Sequence, residues 1–71
     1  MKKIRDITPD DILQACWPLP GCPAIFDSED GKEYYLIGKV MDSKKLGITQ
    51  RVGDGEIVVA VPKRLVDERK T

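Results

Sequence analysis

Histidine is absent from this chain of 71 residues. Its absence removes the commonest general base near neutral pH and the commonest nitrogen ligand for zinc. Cysteine occurs only twice, too few for a structural zinc site without unusual carboxylate ligands. No uninterrupted apolar run approaches the ~20 residues of a transmembrane helix. The charged start at residues 1–6 is not followed by the apolar stretch of a secretory leader, so the chain is expected in the cytoplasm. Neither GxxxxGK[ST] nor GxGxxG occurs, and Gly53-Asp54-Gly55 reads as a turn rather than part of a phosphate loop. Charge of one sign is lacking too: 12 Lys and Arg balance 12 Asp and Glu. What remains is 41% hydrophobic and 34% charged, the composition of a folded domain. The length allows one domain, residues 1–71, with one small core.

The first local signal is Thr8-Pro9-Asp10-Asp11. The Thr8 hydroxyl is expected to cap a helix, and Pro9 suits the first helical position. Asp10 and Asp11 place negative charge at the positive end of the helix dipole. The helix then runs to Cys16, with Ile12, Leu13 and Cys16 toward the core and Ile4 or Ile7 stapling its entry. Trp17-Pro18-Leu19-Pro20-Gly21-Cys22-Pro23 stops it, because three prolines in seven residues favour extended backbone.

Ala24-Ile25-Phe26 predicts a strand, and Asp30-Gly31 predicts a hairpin turn into a partner strand over residues 33–40. Its apolar run, Tyr34-Tyr35-Leu36-Ile37, predicts at least partial cover on both faces. Residues 41–47 connect, with Asp42 or Ser43 capping one short turn that ends at Gly47. Residues 48–52 predict a short strand. Residues 56–61 predict the strongest one, being rich in β-branched side chains. Pro62 opens a final helix over residues 63–69. The order predicts an α+β fold: a small antiparallel sheet of three to four strands, an N-terminal helix and a short C-terminal helix. A small, partly open β-barrel is the alternative.

Residues 21–66 carry Cys22-Pro23-Ala24, Phe26, Asp30-Gly31, Tyr35 and Gly38-Lys39-Val40. They continue with Gly55-Glu56, Val58-Val59-Ala60-Val61-Pro62 and Leu65-Val66. This pattern resembles a group of short uncharacterised bacterial proteins without an assigned activity. The resemblance implies a shared fold and no particular function.

Few residues suggest chemistry. Cys16 and Cys22 lack redox CxxC spacing, and Cys16 sits near a helix C-terminus, where the dipole disfavours a thiolate. They read as small, reduced residues. Asp27, Glu29, Asp30 and Glu33 crowd one turn without the spacing of a calcium loop, and read as a solvated hairpin. No catalytic residue, metal ligand or cofactor site is predicted, and the chain reads as a non-enzyme with no evident small-molecule substrate. Two binding readings follow. In the favoured one, Trp17 and Leu19, on a stiff proline-rich loop, anchor a protein partner or a second copy. In the other, Lys44, Lys45, Arg51, Lys63 and Arg64 form a basic surface for nucleic acid. Charge asymmetry motivates it. Residues 1–38 hold four cations and seven acids, whereas residues 39–71 hold eight cations and five acids.

Overall fold

Alternating and helical apolar patterns resolve into two helices and five strands among the described residues, which are 3–16 and 21–70 of the computed structural model. The order is β1 (Ile4–Asp6), α1 (Asp10–Cys16), β2 (Ala24–Ser28), β3 (Tyr34–Ile37) and β4 (Lys39–Met41). A 3-10 turn at Thr49–Arg51, β5 (Val58–Ala60) and α2 (Lys63–Asp67) complete it. Strands β1, β2 and β3 form an antiparallel sheet in that order, and β4 and β5 form an antiparallel ribbon. This is a small α+β fold, with no closed barrel among the described residues.

One strand had no counterpart among the expectations, and two expectations are corrected. Residues 4–6 form a strand, pairing Arg5 with Asp27 and Asp6 with Phe26. Residues 48–52 hold the 3-10 turn instead of a strand: Arg51 N–H donates to Ile48 C=O at 2.9 Å and Val52 N–H to Thr49 C=O at 3.1 Å. Those local bonds use the backbone groups that a ladder would need. The long strand over residues 33–40 is interrupted at Gly38, so β3 pairs with β2 and β4 with β5. A Cβ built on Gly38 would lie 2.6 Å from both Ala60 O and Val61 Cγ1. Only glycine lets residues 60–61 come this close.

The core is built from distant parts of the chain. Ile7, Ile25 and Leu65 are buried together, with Ile12 and Val61 packed against them. Ile7, not the exposed Ile4, supplies the apolar residue at the helix entry. Leu65 brings α2 onto the face of β2 that carries Ile25. Thr8 is fully buried beside this cluster, and its hydroxyl does not cap α1. The Thr8 Oγ1 accepts from Ile25 N–H at 3.1 Å and lies 3.3 Å from Ile25 O, stitching the helix entry to β2. Pro9 C=O accepts from Ile12 and Leu13 N–H, and Asp6 accepts from Thr8 N–H at 3.0 Å. Asp11 and Asp10 pair across to the C-terminal segment, with Arg64 and with Lys70. Lys70 N–H also donates to Ile7 C=O at 2.8 Å.

Candidate interaction surface

The hairpin between β2 and β3 is organised by one side chain. Ser28 is buried, and its hydroxyl donates to Asp30 Oδ1 at 2.6 Å while accepting from Glu33 N–H at 3.2 Å. Its carbonyl accepts from Gly31 N–H, and Gly31 takes the positive φ of 71° that this turn requires. The loop therefore spans four residues between the Ser28 and Glu33 partners, with Asp30-Gly31 inside it. The Ser28 hydroxyl, with Lys32 N–H at 3.0 Å, holds the Asp30 carboxyl below its ordinary pKa. The other acids go to separate partners: Asp27 faces Arg5 at 3.4 Å, and Glu29 accepts from Lys3 N–H at 3.4 Å. Among the described residues, no three carboxylates or thiols converge on a point that a metal would occupy.

This hairpin sets the hydrogen-bonding direction of β3. Ser28 N–H donates to Glu33 C=O, and Phe26 and Ala24 oppose Tyr35 and Ile37 in register. Residues 33, 35 and 37 therefore turn their backbone groups toward β2. Tyr34 and Leu36 turn theirs outward, to an edge with no neighbouring strand among the described residues. The side chains are uncovered as well. Tyr34 is 49%, Leu36 42% and Ile37 51% exposed. The cover is partial: α2 lies over β2 and leaves the β3 margin about half exposed. Tyr34 has a neighbour in the Arg69 guanidinium, which stacks 5.2 Å from its ring centroid and donates from Nε to its hydroxyl at 3.1 Å.

The sequence-based candidates fall elsewhere. Trp17 and Leu19 lie outside the described residues. Cys22 is half-buried. Lys44, Lys45 and Arg51 are exposed and share the segment between β4 and β5, while Lys63 and Arg64 are exposed on α2. That segment is ordered by Asp42, which accepts from Lys44 N–H at 2.9 Å, and by a turn ending at Gly47 with φ 71°. Arg64 is engaged, pairing with Asp11 and with Glu68 at 2.8 Å. An open depression of about 440 Å³ lies beside Arg51, between Ile48 and Ile57. The exposed β3 residues were missed as a site because an apolar run reads equally as a covered strand. The usable signal was the absence of any charge or proline in Tyr34-Tyr35-Leu36-Ile37, the devices that usually guard an edge.

No family model, curated protein or solved structure matches this chain. Its class rests on the fold, a small α+β domain whose three-stranded sheet carries an unguarded apolar edge.

Proposed function

We propose that this chain works by binding another protein chain rather than by catalysis, and that β3 is the strand it offers. One observation carries the reading: three large apolar side chains are exposed on a strand whose outward backbone groups have no strand partner among the described residues. An extended partner segment added there would satisfy those groups and bury Leu36 and Ile37 together, the mode known as β-strand addition. Trp17 and Leu19 remain partner contacts in this proposal, on the sequence argument above. So does residence in the cytoplasm; no helix of the described residues is long and apolar enough to cross a membrane.

The nucleic-acid reading draws on Lys44, Lys45 and Arg51, which share one exposed segment and make no ion pair among the described residues. Arg64, facing two carboxylates, has less charge to offer a phosphate. One experiment separates the two readings. Immobilised wild type and Leu36→Lys are compared for capture from source lysate, with and without nuclease, after circular dichroism has confirmed that both fold. A protein retained by wild type, lost with Leu36→Lys and indifferent to nuclease is the expected result. Equal retention by both variants overturns the β3 assignment, and retention that nuclease abolishes favours the basic segment.

A further inference from the structure

Resting on β3 as a binding edge, we propose that the strand's occupant is β3 of a second copy. The two strands run antiparallel and centre on Leu36, with Glu33 of each copy opposite Lys39 of the other. The argument begins with backbone direction. Residues 34 and 36 point their N–H and C=O groups outward, so only registers that set even-numbered residues against even-numbered residues join two such edges. Centring on Leu36 makes Leu36 exchange both bonds with its own counterpart, and sets Tyr34 opposite Gly38. A twofold axis through Leu36 then gives a closed, isologous dimer with a continuous six-stranded sheet.

Charge selects this register from its neighbours. Centring on Tyr35 places Glu33 against Ile37 and Lys39 against Gly31, leaving both charges without a partner. Centring on Ile37 places Glu33 against Met41 and Lys39 against Tyr35. Only the Leu36 register brings Glu33 against Lys39, whose exposed side chain stands just past the Gly38 break at the start of β4, where its backbone pairs with Ala60, and symmetry does so twice. Glu33 and Lys39 are exposed, and neither makes an ion pair among the described residues of its own copy. The same register sets Tyr35 of one copy opposite Ile37 of the other on the face away from α2. Ile37, half exposed in a single copy, thereby gains an aromatic cross-strand neighbour.

Sedimentation velocity across a concentration series tests this on the whole chain. Wild type is expected to dimerise reversibly. Glu33→Lys and Lys39→Glu each place like charges opposite one another at two points, and each is expected to weaken the dimer by about tenfold. The double variant, Glu33→Lys with Lys39→Glu, is expected to restore it. Both side chains are exposed, and circular dichroism confirms the fold of each variant. A wild type that stays monomeric throughout overturns the proposal, as does a dimer indifferent to all three variants. Self-pairing and the broader reading fail separately. A monomeric wild type whose protein capture is still lost with Leu36→Lys keeps β3 as a binding edge and removes only the second copy as its occupant. If capture is unaffected as well, both readings fall.

Discussion

Ser28 shows how much one small side chain can organise. Its hydroxyl faces the Asp30 carboxylate and the Glu33 amide at once, closing the loop that positions β3. The bond to Asp30 favours the ionised carboxyl, so folded Asp30 holds its proton less tightly than the unfolded chain does. The sign follows. Asp30 contributes stability above the ordinary carboxyl value of 3.8, and that contribution disappears as pH falls through the lower, folded value. Ser28→Ala is expected to move the Asp30 titration back toward 3.8, as followed by carboxyl carbon chemical shifts. An unmoved titration would show that Lys32 N–H alone holds the shift. Thr8 marks a limit of reading at this scale. A Thr-Pro-Asp-Asp string signals a helix start, and a helix does start at Asp10. The buried hydroxyl nevertheless goes to Ile25 in β2, because the nearby backbone of a distant strand offers it both a donor and an acceptor. No local pattern encodes that neighbour.

Among the elements, Gly38 has the largest effect. It separates β3 from β4 and lets residues 60–61 approach a backbone that any side chain would block. Gly38→Ala forces a methyl group against Ala60 O and Val61 Cγ1, both now at 2.6 Å, and is expected to cost about 1–3 kcal/mol. Hydrogen exchange should report the cost locally, with protection lost in β5 before it is lost in β2. Uniform loss across both sheets would mean that the ribbon and the three-stranded sheet open as one unit. Both helices and the hairpin between β2 and β3 were legible, because proline placement, first-turn acids and the Asp-Gly turn are written within a few residues. The other strands were harder. Ile4–Asp6 shows no apolar alternation, since all three residues are exposed and pairing with β2 alone makes them a strand. Residues 48–52 carry β-branched side chains yet close on themselves, through local bonds to the Ile48 and Thr49 carbonyls. The β3 surface was legible as residues but not as a surface, because exposure depends on where α2 settles.

At the scale of the molecule, the buried apolar core among the described residues amounts to three, Ile7, Ile25 and Leu65. A domain this small retains roughly 3–5 kcal/mol of net stability. Leu65→Ala removes a fully buried side chain and is expected to cost about 2–5 kcal/mol, enough to unfold much of the population at room temperature. Urea titration by tryptophan fluorescence and circular dichroism would measure it; a shift well below that range would show that α2 collapses onto the gap. The positions of the three core residues have a further consequence during synthesis. Ile25 leaves the ribosome 40 residues before Leu65, and Ile7 earlier still, at about 5–20 residues per second. For those seconds the early hairpin stands without its helical cover, its inner face and its unguarded edge both open to the medium. Chaperone dependence and yield at high expression should therefore follow the time taken to translate the stretch from Ile25 to Leu65, and synonymous codons that slow that stretch alone should lower the soluble fraction.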